Sequence, residues 1–365
     1  MTTYNIAYLP GDGIGPEVLA SARRVVDTAV NVISGIEINY EPVDAGAETY
    51  ARTGEAVPDV TIKRCREADA IFFGSAGLPE AVYPDGTEVG VEASLQMRFQ
   101  LDLYANIRPI KLYPNIKSPL ADRQAGDIDY IVLRENVEGL YASRGGGSIL
   151  RDAVATDTMV ITRSGTERVT RKAFELARGR NGAPGDGKRR VTCVDKANIL
   201  RSFSFWRRVF DQTAVDYADI EADHAYTDAM TCYMVQSPGF YDVMVMENMF
   251  GDILTDLAAA TVGGMGMSPS AEIGDNHGLF QGSHGSAPTL VGKNIANPMA
   301  TIVSGAMMLD WLGQKRADNA SREAARAIEA AVTRTFEDGI MTPDVGGEAG
   351  TEAFSDAVIE RLQRH

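Results

Sequence analysis

Asp252 and Asp256 stand four residues apart in Met246-Glu247-Asn248-Met249-Phe250-Gly251-Asp252-Ile253-Leu254-Thr255-Asp256, a spacing that sets both carboxylates on one face of a helix. Like charges held that close repel, and a hard divalent cation with oxygen ligands relieves the repulsion. The plainer use of such a pair is to complement the positive end of a helix dipole, so the neighbouring residues must decide between the two. Asp228, in Ala225-Tyr226-Thr227-Asp228-Ala229, is the candidate for a third oxygen ligand. The opposite charge comes from Arg98, Arg108 and Arg134. Each presents a planar fork that grips a carboxylate with two hydrogen bonds, so three of them together suit a di- or tricarboxylate, whereas any one alone reads as a surface ion pair. Lys196, in Asp195-Lys196-Ala197-Asn198-Ile199-Leu200, is a candidate base, and Tyr141, in Glu138-Gly139-Leu140-Tyr141, offers a phenol as a proton donor to carbon. Gly282-Ser283-His284-Gly285-Ser286-Ala287-Pro288, followed by Gly292-Lys293-Asn294-Ile295-Ala296-Asn297-Pro298, has the small residues that let backbone amides approach a nucleotide.

The elements that must position these groups follow from apolar patterning. The run Ile6 to Leu9 ends in Pro10-Gly11-Asp12-Gly13-Ile14-Gly15-Pro16, and a helical pattern continues from Glu17 to Val32. That loop lacks the G-x-G-x-x-G spacing of a dinucleotide fingerprint. Further buried strands are expected at Ala70-Ile71-Phe72-Phe73, Tyr130-Ile131-Val132-Leu133, Arg190-Val191-Thr192-Cys193-Val194 and Tyr241-Asp242-Val243-Met244-Val245-Met246, each followed by polar residues. In open α/β sheets ligands sit beyond such strand ends, which is where Arg134, Lys196 and the Asp252 segment fall. Asn181 to Lys188 reads as a surface loop without a functional role.

Composition bounds the partners. A length of 365 residues exceeds one ordinary core, so two lobes are expected. A net charge of −15 with no basic run argues against nucleic acid, and the apolar runs are too short to span a bilayer. The first residues read as a strand and not as an export signal, which gives a cytoplasmic address. Cys65, Cys193 and Cys232 form no Cys-x-x-Cys pair and are expected to be reduced and mostly buried.

Taken in order, Leu9-Pro10-Gly11-Asp12-Gly13-Ile14-Gly15-Pro16-Glu17, Tyr104-Ala105-Asn106-Ile107-Arg108-Pro109, the Asn248 to Asp256 segment, His284-Gly285-Ser286-Ala287-Pro288 and Thr342-Pro343-Asp344-Val345-Gly346-Gly347 resemble the isocitrate/isopropylmalate dehydrogenase family of β-decarboxylating dehydrogenases nearly end to end. The resemblance implies an α/β, two-domain fold with a sheet flanked by helices, of isopropylmalate dehydrogenase type and not Rossmann. It implies a larger domain from 1–105 and 265–365 with the cofactor-binding loops, and a smaller one, 106–264, with the metal and catalytic residues and a dimer interface. By the same resemblance Arg98, Arg108 and Arg134 hold the substrate carboxylates, with Ser94, Leu95, Asn198 and Ile199 also contacting substrate. Asp252 and Asp256, with Asp228 of the partner subunit, would hold Mg2+ or Mn2+. Lys196 of the partner subunit would serve the 2-hydroxyl as a base, Tyr141 would protonate the enolate, and His284, Gly285, Ser286, Ala287, Pro288, Thr289, Leu290 and Asn297 would hold the cofactor.

The departures from the family pattern bear on specificity. Phe280-Gln281-Gly282 stands where relatives have Phe-Glu-Pro, and Thr289 where NAD-selective relatives place an aspartate. Thr289-Leu290 is not the Lys-Tyr of NADP-selective isocitrate enzymes either, and without a basic pair for a 2′-phosphate the reading leans to NAD, with NADP open. Ser94-Leu95 keeps one of the two leucines of isopropylmalate enzymes, and Glu92 replaces a serine of isocitrate enzymes. Gly292 to Pro298 looks closest to the tartrate/D-malate branch. The expected reaction is metal-dependent oxidative decarboxylation of a 3-substituted (2R)-malate, a small dicarboxylate 2-hydroxy acid. The leading substrates are 3-isopropylmalate and D-malate or tartrate, with isocitrate or homoisocitrate behind them. The rival from another class is a catalytically silent regulatory or binding subunit on the same scaffold, and the complete acid, base and metal-ligand set argues against it.

Overall fold

The computed structural model describes residues 1–84 and 86–364. The chain divides into two compact units, one made of Met1–Leu103, Tyr113–Lys117 and Gly263–His365, the other of Tyr104–Leu112 and Ser118–Val262.

In the first unit the strand Thr2–Gly11 lies between Ile36–Pro42 and Ala70–Ser75, parallel to both. Gly278–Gly282 runs parallel along Ala70–Ser75, and Pro269–Ile273 follows it antiparallel. Ala70–Ser75 is buried at every position, as an interior strand covered on both faces should be, whereas Ile36–Pro42 is largely exposed and ends in a proline tolerated at an edge. The helix Gly15–Ile33 begins earlier than its apolar pattern, because Pro16 is pre-set for a first turn. Its buried Val18, Leu19, Ala22, Val25, Val26, Ala29 and Val30 repeat at helical spacing. That face packs on Met299–Arg316, Asn319–Glu337 and Thr351–Gln363. Met299–Arg316 is buried almost all round, and its Ser304 Oγ donates to the Gln281 carbonyl (2.5 Å) and accepts from the Ser270 N–H (3.1 Å). One hydroxyl therefore fixes both members of the antiparallel pair against the central helix.

The loop that opens the chain serves the protein itself. Asp12, buried, accepts the backbone N–H groups of Ala47 (2.7 Å), Gly77 (2.7 Å) and Glu48 (3.0 Å). Gly13 has φ +61°, and a side chain there would strike the Ser286 backbone. This is a brace between three loops and not a phosphate cradle, in keeping with the missing fingerprint.

In the second unit Asp129–Glu135 lies antiparallel to Ala105–Lys111 and parallel to Val243–Met246, which is followed by Arg190–Asp195 and Glu221–Tyr226, all parallel. Val243–Met246 is shorter than the apolar run from Tyr241, because buried Asp242 turns its carboxylate to Arg180 Nε (2.6 Å) and the Arg190 N–H (3.3 Å) at the strand entrance. The helix Arg163–Gly179 covers three of these strands, capped at its start by the Thr162 hydroxyl accepting from Gly165 N–H (3.0 Å). A separate hairpin, Ser148–Leu150 with Val154–Thr156, is exposed throughout. Cys65 and Cys193 are buried free thiols and Cys232 is exposed. Among the described residues no helix is long and apolar enough to cross a membrane.

Candidate active site

Arg134 emerges at the end of the strand Asp129–Glu135 and is fully buried. Its Nε and Nη2 donate to Asn248 Oδ1 (2.9 and 2.8 Å), and its Nη1 pairs with Asp252 Oδ1. Asn248 and Asp252 both belong to the helix Asn248–Thr261, which the Glu247 carboxylate caps by accepting from Met249 and Phe250 N–H (3.1 and 3.3 Å). The helix can approach because Gly251 faces the arginine; a Cβ there would collide with Arg134 Cβ and Cγ. Tyr141, on the short turn Tyr141–Ser143, donates its hydroxyl to Asp252 Oδ2 (3.0 Å), with Arg134 5.5 Å from its ring centroid. Partial burial raises the Tyr141 phenol above its ordinary value, and the Asp252 charge adds to that against the opposing Arg134. The phenol therefore keeps its proton at neutral pH.

Asp256 lies one helical turn beyond Asp252, on the same face and more exposed. Partial burial raises its carboxyl above the usual range, helped by the Asp252 charge and opposed by Arg108 and Arg134. Arg108, buried, donates from Nε to Asn106 Oδ1 (3.2 Å) on the strand Ala105–Lys111, where Asn106 stands opposite Arg134. The unit thus gathers Arg108, Arg134, Tyr141, Asp252 and Asp256. A carboxylate pair whose charges hinder each other is chemically suited to a hard divalent ion.

Lys196 and Asp228 form a second group in the same unit. Lys196 follows the strand Arg190–Asp195, whose buried last residue accepts from Arg207 Nε and Nη2 (2.7 and 2.9 Å) and from Ala197 N–H (2.8 Å). Thr227 Oγ1 donates to the Asp195 carbonyl (3.1 Å) and so ties the helix Thr227–Gln236 to the strand end. Lys196 Nζ donates to Asp228 Oδ1 (2.5 Å), which holds the Asp228 carboxyl below its usual range. Asn198 and Ile199 are exposed. Among the described residues no three His, Cys, Asp or Glu side chains gather at metal-binding range, so a single chain does not bring Asp228 to Asp252 and Asp256.

The first unit carries the other expected residues. The helix Val89–Gln100 bears Ser94, half-buried, Leu95, buried, and Arg98, buried. Arg98 forks onto Glu272, with Nε to Oε2 at 2.9 Å and Nη2 to Oε1 at 2.7 Å, and Gln281 Nε2 donates to the same carboxylate (3.0 Å). The acid missing at Gln281 therefore stands on the facing strand instead. The expected cofactor loop is anchored at Ser286, whose carbonyl accepts from Ile14 N–H (2.8 Å) and whose hydroxyl donates to the Gly77 carbonyl. Ala287 adopts a left-handed φ of +37° and leads into the turn Pro288–Leu290, while Gly285, Pro288 and Thr289 remain exposed and Leu290 half-buried. Burial lowers the His284 imidazole, and its Nε2 is buried with no partner in the protein, an orphaned polar atom that suits a bound ligand. Asn297 is fixed by Asp344 (3.1 Å) and by its own cap on Met299 N–H (3.0 Å).

Sequence reasoning did not single out Asn248, Asp12 or Glu272 for these roles. Asn248 lay inside a quoted motif, and its neighbour four residues on pairs with the same guanidinium. Glu272 had one available signal, an acid inside the apolar strand Pro269–Ile273.

Comparison with known proteins gives a family match to Isocitrate/isopropylmalate dehydrogenase over residues 5–358. The chain is 40% identical over 361 residues to a 3-isopropylmalate/3-methylmalate dehydrogenase of Methanocaldococcus jannaschii, covering 99% of each. It is 39% identical over 371 residues to a decarboxylating D-malate dehydrogenase of Escherichia coli, covering 100% of each. A crystal structure of an isocitrate dehydrogenase from Methylococcus capsulatus is similar with a TM-score of 0.85 and 35% identity, over 99% of both chains.

Proposed function

The chain belongs to the isocitrate/isopropylmalate dehydrogenase family, and on that premise we propose that it oxidises a 3-substituted (2R)-malate with NAD and releases the β-carboxylate as carbon dioxide. The observation that carries this reading is the contact set of Arg134, Asp252 and Tyr141: a buried cation, an acidic helix face and a protonated phenol at one place. Relatives named for 3-isopropylmalate, 3-methylmalate and D-malate support the substrate class. The exposed Thr289, with no basic neighbour in Pro288–Leu290, supports NAD.

The roles follow from chemistry. Arg108 and Arg134 grip substrate carboxylate and, being buried, hold it in a fixed orientation. Lys196 takes the proton of the 2-hydroxyl as hydride leaves carbon 2, and the Tyr141 hydroxyl returns a proton to carbon 3 once the β-carboxylate has departed. Asp252 and Asp256 would hold a divalent cation together with Asp228 of the partner subunit, and His284, Ser286 and Asn297 would hold the nucleotide. When bound, the cation polarises the new ketone and stabilises the enolate charge, and the nicotinamide accepts the hydride. A homodimer with shared sites is supported by the separation of Lys196 and Asp228 from the aspartate pair within one chain. Exposed Ile149, Leu150, Val154, Ile199 and Ile253 on the same unit also support it, being apolar surface for a second copy to cover.

Purified protein with Mg2+ or Mn2+ should reduce NAD with at least one acid of a series running from D-malate through 3-isopropylmalate to isocitrate, and a chelator should stop it. Thermal stabilisation by an acid and cofactor with no turnover across the series would instead establish the silent-subunit alternative.

A further inference from the structure

Resting on that reading, we infer that Asn248 is a positioning residue for the return of the proton to carbon 3. Its one amide, bonded to Arg134 on one side and to the Glu138 carbonyl on the other, sets the Tyr141 phenol relative to the guanidinium that grips the substrate carboxylate. Arg134 lies in the strand Asp129–Glu135 and Tyr141 opens the turn Tyr141–Ser143, so a loop joins the two groups. A side chain on a loop is placed only as well as the loop itself is tied down. Glu135 accepts from the Val137 and Glu138 N–H groups (2.9 and 2.8 Å) and folds the loop back on the strand end. Gly139 N–H donates to the Val160 carbonyl (2.8 Å), and the Glu138 carboxylate accepts from Thr162 N–H (2.8 Å), ties that run to the chain ahead of the helix Arg163–Gly179.

Asn248 supplies a tie to a different element, the helix Asn248–Thr261, from its first residue. Nδ2 donates to the Glu138 carbonyl (2.9 Å), while Oδ1 accepts from Arg134 Nε and Nη2 (2.9 and 2.8 Å). The side chain is fully buried. An amide alone among small side chains offers an acceptor oxygen and a donor nitrogen together without adding charge; an aspartate has no donor for the carbonyl. The loop is pressed onto this end of the helix: Gly139 has φ +79°, and a Cβ there would collide with Glu247 Oε1 and crowd Asn248 Cβ. Tyr141 also donates to Asp252 Oδ2 (3.0 Å), but that carboxylate is the one proposed to hold a cation, and the tie through Glu138 makes no use of it. The bridge thus fixes the spacing between the Arg134 guanidinium and the Tyr141 ring, 5.5 Å from its carbon to the centroid. Proton transfer is sensitive to that spacing, since misplacement by about 1 Å can cost ~10²-fold in rate.

The experiment measures kcat and KM for the best dicarboxylate substrate in wild type, N248A, Y141F and the variant carrying both changes. N248A should lower kcat roughly ten- to a hundredfold and raise KM roughly three- to tenfold, because donor and guanidinium both lose their holder. In the Y141F background N248A should cost kcat less than about threefold, since the group it positions is gone, while the rise in KM persists. A side chain that merely supported the fold would cost kcat equally in both backgrounds. N248D, of nearly the same size, keeps an oxygen for Arg134 and lacks the donor for Glu138. It should show the same loss of kcat and the same dependence on the Tyr141 hydroxyl, and it serves where N248A does not fold. An unmoved kcat in either folded variant, or an equal loss with and without that hydroxyl, overturns the inference. Y141F with the wild-type kcat overturns the proton-donor assignment, and a wild type that turns over none of the acids overturns the dehydrogenase reading instead.

Discussion

At the scale of single residues, the proposed chemistry rests on two groups that would handle protons, Lys196 and Tyr141. Lys196 sits at a strand end fixed by the Asp195–Arg207 fork and reaches Asp228 at 2.5 Å. Lys196→Met should lower turnover by ~10²-fold or more, the contribution of one positioned base, while nucleotide binding followed by fluorescence or calorimetry stays near wild type. Retained turnover would refute the base assignment. Tyr141 keeps its proton through burial and the Asp252 charge. Tyr141→Phe should leave substrate affinity within a few-fold and cut kcat by about 10²- to 10⁴-fold; an unchanged kcat assigns the proton to another donor. Asp252, Asp256 and Arg134 stood out as candidates in the sequence because an acidic i, i+4 pair and several arginines occur in one chain, although each feature alone has a plainer use. Asn248 and Glu272 did not, since an amide or acid beside an arginine becomes informative only once the chain folds it there, and Glu272 lies 174 residues from its partner.

At the scale of elements, strand ends do the positioning. Five strands of the parallel arrangements were visible as apolar runs, and the polar ends of three of them, at Arg134, Lys196 and Glu247, carry the candidate site. The exposed hairpin Ser148–Thr156 was not visible: three-residue strands with both faces in water leave no alternation to read. Glu135, next to Arg134, closes its strand by accepting Val137 and Glu138 N–H (2.9 and 2.8 Å). Burial pushes its carboxyl from 4.5 up to about 7, against those bonds and Arg168, with the Glu138 charge adding to the rise. The folded chain thus keeps a proton that the unfolded chain gives up between those two values. This contribution to stability is complete below the lower value and is lost as pH rises through the upper one. Glu135→Gln removes the titration and adds a pH-independent cost. The melting temperature of wild type relative to Glu135→Gln should therefore fall between pH 5 and pH 8, by the equivalent of about 3 kcal/mol at most. Parallel curves would mean that Glu135 ionises normally.

At the scale of the whole molecule, the shared-site proposal makes a demand that no single chain can meet. Lys196→Met and Asp252→Asn subunits, each inactive alone, should regain about a quarter of wild-type activity when mixed after reversible dissociation, because half the dimers are mixed and each mixed dimer has one intact site. No recovery would place the whole set within one chain. Length and motif order led to an expectation of two lobes, but nothing in the sequence pointed to the return of Tyr113–Lys117 to the first unit, since five residues hold too little pattern to reveal where they pack. The first unit is assembled from three separated stretches of chain, and Gly278–Gly282 and Pro269–Ile273 complete that unit's own set of sheet strands, the rest of which precede Leu103. On the ribosome that set must wait with an open flank until nearly the entire protein has emerged, while the intervening unit is already whole. A stalled or prematurely terminated chain would therefore release a finished second lobe tethered to an unfinished first one, a species for chaperones or proteases to meet.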